Sequence, residues 1–416
     1  MINLSRRMMV AGGGAVALGS ILPFGSTARA TDYARMKTAP PITGEERVAR
    51  IARAQALMQK AGIGAVLVES GPSLDYFTGV KWSRSERLTG AVIPAQGNPI
   101  IVTPFFEGPT IQEMLAVPAE IRTWQEDEEP LKLVADFIRE KGAASSPVGF
   151  EETNRFFLMD RLQQQMPGTR IVSANPVVRA LRMIKTPAEL ALMQSAADIT
   201  IAAFRAIHPQ IQLGMNPSTI GQLFRDAVVG MGGTSPWALI LIGEAAAYPH
   251  GTGKPQEVKR GEVILLDCGC EVHGYQSDIS RTYVFGADPS PEQRKVWDQM
   301  RRGQDIAMAA AKVGAPAGTV DDAVRSAYES WGYGPRYKLP GTSHRTGHGI
   351  GMEGHEPINL VHGEMTRLAP GMCFSNEPGI YLPGKFGIRL EDCFYMTAGG
   401  PKWFSVPPPS IDRPFA

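Results

Sequence analysis

Four acidic residues in the second half of the chain stand inside or at the ends of apolar runs. Asp267 follows Val263-Ile264-Leu265-Leu266, and Asp278 precedes Ile279. Glu377 lies in Asn376-Glu377-Pro378-Gly379, and Glu391 in Arg389-Leu390-Glu391-Asp392. A carboxylate buried by such a run needs a cation or hydrogen-bond donors, or it takes up a proton. Five of the 7 histidines fall at 250, 273, 344, 348 and 355, and His348 is flanked by glycine on both sides. Four carboxylates and one imidazole carry too much negative charge for one divalent ion. They suit two ions roughly 3.5–4 Å apart, with some carboxylates shared. A donor set rich in oxygen with one nitrogen favours Mn²⁺, with Co²⁺, Zn²⁺ and Fe²⁺ as alternatives. Any one of these acids alone reads as a salt-bridged strand end; the ordered set reads as a metal centre.

The words that carry this set are Asp267-x10-Asp278, Arg345-Thr346-Gly347-His348-Gly349-Ile350-Gly351, His355-Glu356-Pro357, Asn376-Glu377-Pro378-Gly379 and Arg389-Leu390-Glu391-Asp392. Over about residues 186–400 they resemble the pita-bread dinuclear metallopeptidases, which include Xaa-Pro aminopeptidase, prolidase and methionine aminopeptidase, with creatinase as a metal-free relative. Residues 44–185 resemble the creatinase/prolidase N-terminal domain more loosely, through Tyr76-Phe77-Thr78-Gly79 and Ser85-Glu86-Arg87. The resemblance implies an α/β N-terminal domain followed by an α+β pita-bread catalytic domain. It implies Asp267, Asp278, His348, Glu377 and Glu391 as metal ligands, with Asp278 and Glu391 bridging. It places His250, His344, His355 and Arg389 in the catalytic and substrate-binding shell, with Glu377 moving a proton and Tyr381 as a further contact. His208, His273 and His362 match nothing in the pattern and read as surface or loop residues.

The activity implied is removal of an N-terminal residue ahead of proline by two divalent ions, of aminopeptidase or prolidase type. The substrates implied are small peptides with proline at position two, and the assembly implied is a homodimer. A non-peptidase hydrolase or lyase on the same scaffold is the alternative. A peptide-binding module without catalysis is a third reading, disfavoured because every ligand position is filled.

Periodicity supplies the elements that must hold these residues. Glu45 to Ala61 reads as a helix stopped by Gly62. Strand-like runs follow at Ala65–Val68, Thr89–Pro94, Pro99–Thr103 and Pro147–Phe150, with helices at Glu107–Leu115, Leu131–Lys141 and Asn154–Gln165. Thr186-Pro187-Ala188-Glu189 and Ser290-Pro291-Glu292-Gln293 are capping boxes with proline at the first helical position. The first opens a helix to about Ile207; the second opens one expected to run to Gly314. Further helices are expected from Asn216-Pro217 to Gly232 and from Thr319 to about Trp331. Strands are expected at Ala238–Ile242, Val263–Cys270, Ile279–Phe285, Met372–Asn376 and Gly387–Tyr395. Two helices followed by strands, twice over, suggest an internal pseudo-repeat. The domains expected are 1–30, 31–185 and 186–416.

The 416 residues, 43% of them hydrophobic, are enough for two cores, and a formal net charge of +1 argues against a nucleic-acid binder working through bulk charge. Residues 1–30 contain no acid. They carry Arg6-Arg7, a Gly/Ala-rich apolar run and Ala28-Arg29-Ala30, the layout of a twin-arginine export signal. Export to the periplasm, without a membrane-spanning helix in the processed protein, is therefore expected. Cys268, Cys270, Cys373 and Cys393 all lie in strand-like apolar stretches and read as buried free thiols.

Overall fold

The computed structural model describes residues 33–415; the export signal expected at 1–30 lies outside them. The first part is an α/β layer built on a six-stranded sheet. Its order is Glu120–Trp124, Ile100–Pro104, Gly90–Pro94, Ala65–Glu69, Val148–Phe150, Ile171–Ser173. Gly90–Pro94 runs antiparallel to both neighbours, and every other pairing is parallel. The four inner strands are fully buried apolar runs, the pattern that periodicity detects. The two edge strands are largely half-exposed, one with polar residues in alternation and the other only three residues long, so neither gives a buried apolar run and they were not expected. The helix Gly44–Ala61 is capped by the Thr43 side chain, which accepts from Glu46 N–H, and stops at Gly62 with φ 67°.

The second part has two helix-on-sheet halves. In the first, Pro187–Ile207 and Pro217–Met231 cover the antiparallel sheet Thr234–Ile242, Val263–Val272, Ile279–Val284. In the second, Pro291–Ala310 and Gly318–Ser330 accompany a sheet ordered Glu356–Leu360, Gly347–Gly349, Cys373–Asn376, Asp392–Thr397, Gly400–Trp403. Both capping boxes form with both of their hydrogen bonds.

Two expectations are corrected. The helix expected to reach Gly314 ends at Ala310, because the chain turns there so that Gly314 N–H can donate to Leu368 O at 2.7 Å. The single strand expected over Gly387–Tyr395 is two strands, Phe386–Ile388 and Asp392–Thr397. Between them the backbone of Glu391 leaves its own sheet and bridges Ser280 of the other half, through bonds of 3.1 and 3.2 Å. The neighbouring side chains lock that seam. Arg281 forks onto Asp392 at 2.7 and 3.2 Å, and Arg281 Nη1 also donates to the carbonyls of Ser280 and Glu391.

All four cysteines are free and buried, as expected. His208, His273 and His362 are exposed, also as expected.

Candidate active site

The five expected ligands meet at this seam, and each is delivered by a different strand. Asp267 sits within Val263–Val272, opposite Ser280 and Leu239 on its two neighbours. Asp278 immediately precedes Ile279–Val284, and His348 is the centre of Gly347–Gly349. Glu377 follows Cys373–Asn376, fixed by its N–H donating to Thr346 O at 2.8 Å, and Glu391 precedes Asp392–Thr397. His348 Nε2 lies 3.2 Å from Glu377 Oε1, 3.7 Å from Asp278 Oδ2 and 3.9 Å from Glu391 Oε1. Donor atoms of Asp267, Asp278 and Glu391 lie within 4.8 Å of one another, as do those of His348, Glu377 and Glu391. Glu391 belongs to both groups, the position a shared ligand needs.

The polar atoms themselves test whether cations fit. Gly349 O accepts from the His348 ring at 3.1 Å, which puts the proton of the neutral ring on Nδ1. The Nε2 lone pair is then aimed at three carboxylates, an arrangement that repels unless positive charge lies between them. Asp267 Oδ1, Asp278 Oδ1 and Glu391 Oε1 are buried without any hydrogen-bond partner. Burial, followed by the charges of the neighbouring carboxylates, pushes both Asp278 and Glu391 well above the ordinary carboxylate range. Unsatisfied oxygens crowded around an imidazole lone pair are what a metal centre needs, and the residues present fit divalent cations.

A second chain of contacts runs outward from Asp267. Arg389 Nη2 donates to Asp267 Oδ2 at 2.5 Å, Nε donates to Ser280 Oγ at 3.2 Å, and Nη1 donates to Tyr381 O–H at 3.0 Å. Tyr381 lies 2.7 Å from His344 Nε2, while His344 Nδ1 lies 2.8 Å from the Arg345 carbonyl. The carbonyl only accepts, so His344 Nδ1 donates to it and Nε2 accepts from Tyr381. Burial lowers His344 from its usual value, which keeps this ring neutral. Burial, then the nearby His348 and Arg345, lowers His355 to about 4. The His355 ring packs edge-on against His348 with centroids 4.1 Å apart, and its donor atom also comes within 4.8 Å of those of Asp278 and His348. His250 lies on an exposed turn tied to the site by Arg389 Nη1, which donates to Pro249 O at 2.9 Å.

Nearly all of these residues line one open cavity of about 740 Å³, which holds the five ligands with His250, His344, His355 and Arg389; Tyr381 stands behind it. Sequence reasoning missed Trp237, Leu239, Gln276, Tyr337 and Arg345 on the wall, and Ser280, whose hydroxyl donates to Glu391 Oε2 at 2.9 Å. Leu239 and Ser280 flank Asp267 in the sheet, a pairing that only the strand register reveals. Tyr337 lies in a segment without regular structure, and no periodic signal marks it.

Residues 191–398 match metallopeptidase family M24, and residues 50–184 match the creatinase/prolidase N-terminal domain. The chain is 31% identical to the probable dipeptidase PepE of Mycobacterium tuberculosis, over 84% of this chain and 92% of that protein. It is 30% identical to the Xaa-Pro dipeptidase of Lactobacillus helveticus, over 84% of this chain and 95% of that one. The crystal structure of dipeptidase PepE from Mycobacterium ulcerans superposes with a TM-score of 0.80 at 29% identity, covering 89% of this chain and 98% of that one. With its candidate metal-ligand carboxylates and histidine gathered at the seam of two helix-covered half-sheets, the chain belongs to metallopeptidase family M24 and carries the pita-bread fold behind a creatinase/prolidase-type N-terminal domain.

Proposed function

We propose that this protein is a dinuclear-metal Xaa-Pro dipeptidase of prolidase type, exported through its twin-arginine signal and assembled as a homodimer. The observation that carries the reading is the set of orphaned carboxylate oxygens around the His348 lone pair in the 740 Å³ cavity. Asp267, Asp278 and Glu391 would hold one ion, and His348, Glu377 and Glu391 the other, with Asp278 near both; the oxygen-rich set favours Mn²⁺. Divalent cations held there supply Lewis acidity and lower the pKa of water to near neutrality.

The protein groups divide the remaining tasks. Glu377 Oε1 faces His348 Nε2 at 3.2 Å, where it would share an ion with that nitrogen, so Oε2, 4.0 Å from His344 Nδ1, is the oxygen left to carry a proton from the attacking water to the leaving nitrogen. His250 and His355, on the cavity wall, donate to the scissile carbonyl oxygen as it becomes an oxyanion, and the neutral state of His355 suits that role. The chain His344–Tyr381–Arg389 fixes the orientation of Asp267. Four carboxylates complement a free α-amine on the substrate, which favours action at a chain end.

Dipeptidase action is preferred over aminopeptidase action because the relatives above are named as dipeptidases and the His344–Gly351 word has a prolidase-like form. The test uses Mn²⁺-loaded protein with Ala-Pro, Ala-Pro-Ala and acetyl-Ala-Pro-Ala. Cleavage of Ala-Pro alone is expected. Cleavage of the tripeptide would move the assignment to an aminopeptidase, and cleavage of the acetylated peptide would end the exopeptidase reading. Inertness toward all three with the metals in place would favour the non-peptidase hydrolase. Export is checked separately by changing Arg6 and Arg7 to lysine, which is expected to trap precursor inside the cell.

A further inference from the structure

Glu356 follows His355 in the chain and has no part in the chemistry above, yet it is buried at 5% exposure. Its Oε1 accepts from Met352 N–H at 2.9 Å, from Glu353 N–H at 3.3 Å and from Arg182 Nη2 at 2.6 Å. Its Oε2 accepts from Lys185 Nζ at 2.8 Å. One carboxylate therefore closes the turn carrying His355 and ties it to two cations from the segment that joins the two parts of the chain. Arg182 continues toward the N-terminal part, donating to Ser73 Oγ at 2.9 Å and lying 3.5 Å from Glu151. The packing has no slack: a Cβ on Gly351 would lie 2.7 Å from both Glu356 Oε2 and Lys185 Cε.

His355 itself is exposed, and among the described residues no hydrogen bond holds its ring. It lines the 740 Å³ cavity and also a second cavity of about 280 Å³, whose wall includes Arg182, Glu353 and Glu356. A ring with open space on two sides and no hydrogen bond takes its position from its backbone and its stack on His348.

We propose that Glu356 is a positioning residue for His355, and that through Arg182 and Lys185 it sets the place of that imidazole by the seating of the N-terminal domain. The inference rests on the role given to His355 above. An imidazole displaced by about 1 Å from an oxyanion loses on the order of 10²-fold in rate. Binding of the ground-state substrate, made elsewhere in the cavity, changes little.

The experiment is a double-mutant cycle on the metal-loaded enzyme with Ala-Pro, using His355→Ala, Glu356→Ala and the pair, with bound metal measured for each. Glu356→Ala is expected to lower kcat about 10²-fold, with KM within roughly 3-fold of the parent and full metal content. In the His355→Ala background the same change should cost less than about 3-fold, because the group it positions is gone. In histidine-labelled protein loaded with diamagnetic Zn²⁺, the His355 Cε1–Hε1 NMR signal, assigned by its loss in His355→Ala, should shift or broaden in Glu356→Ala. If Glu356→Ala fails to fold, Lys185→Met/Glu356→Met removes the carboxylate together with one of its two cations, leaves Arg182 paired with Glu151 and Glu353, and carries the same comparison. Multiplying losses in the cycle, or an unmoved His355 signal, would overturn the inference. A His355→Ala enzyme with parental kcat would instead overturn the role given to His355, whatever Glu356 does.

Discussion

Replacing Arg281 by methionine tests whether the seam between the two half-sheets is held as described. Arg281 and Asp392 are exposed by only 1% and 0%, and the guanidinium contacts both carboxylate oxygens. Methionine keeps much of the buried stem but leaves Asp392 with only Ser405 and Gln304 as donors. Stranding one member of a buried pair costs about 3–5 kcal/mol. The carbonyls of Ser280 and Glu391 also lose a donor, which adds about 1 kcal/mol. A total near 4–6 kcal/mol, at roughly 2 °C per kcal/mol for a chain this long, lowers the thermal midpoint by about 8–12 °C. The midpoint is read by calorimetry on metal-loaded protein. Arg281→Met/Asp392→Met, which leaves no unpaired charge, should recover at least half of the loss. Because the same backbone bonds hold Glu391 opposite Ser280, bound metal should fall in the single variant. A midpoint within about 2 °C of the parent, or a double variant worse than the single one, would refute the account.

Asp267→Ala and Glu391→Ala should each lose bound metal together with activity, whereas His355→Ala should keep its metal and lose about 10²-fold in turnover; elemental analysis separates the two classes, and an empty site in His355→Ala would make it a ligand. Tyr381→Phe breaks the contact between Arg389 and His344. It should lower stability by about 1–2 kcal/mol and reduce kcat with metal retained, and parental kinetics would show that the chain orients nothing. Acid stability offers a further check. Burial pushes the Glu356 carboxyl up, but Lys185 and Arg182 overcome this and hold it at about 2, below its ordinary 4.5. Between those values the unfolded chain binds the extra proton, so the stabilisation is whole above 4.5 and is lost as pH falls toward 2, by at most about 3 kcal/mol. Lys185→Met/Glu356→Met should therefore show a shallower fall of the urea midpoint across that window, and an unchanged slope would count against the pairing.

The longer helices were legible because their signals are local, while the short ones at Pro72–Thr78 and Val178–Met183 were not read. Thr186 and Ser290 each announce a capping box by two residues three apart, and no tertiary contact is needed to complete it. The buried inner strands were legible from their apolar runs. What the sequence hid was structure made by distant partners. Gly347–Gly349 is a strand only because Glu356–Leu360 and Cys373–Asn376 flank it. The break at Arg389–Glu391 is invisible in hydropathy, since Glu391 leaves its sheet to pair with Ser280, far away in the chain. The acids that meet at the seam were readable because carboxylates beside apolar runs are conspicuous, whereas His250, His344, His355, Arg389 and Tyr381 came from the family resemblance alone. Ser280 and Glu356 were not singled out, because a serine in a strand and a glutamate beside a histidine carry no signal until the burial around them is known.

The Ser280–Glu391 bridge joins residues separated by 111 positions. Closing so long a loop is slow compared with forming either helix pair. The two halves must therefore dock before the five candidate ligands face one another, and tight ion binding at the proposed centre would be deferred to the end of folding. Ligand carboxylates in a nascent or half-docked chain hold an ion only through whichever few have met. On the proposed two-metal reading, uptake of the full complement would be a late checkpoint, a chemical report that both halves of the catalytic unit have found each other.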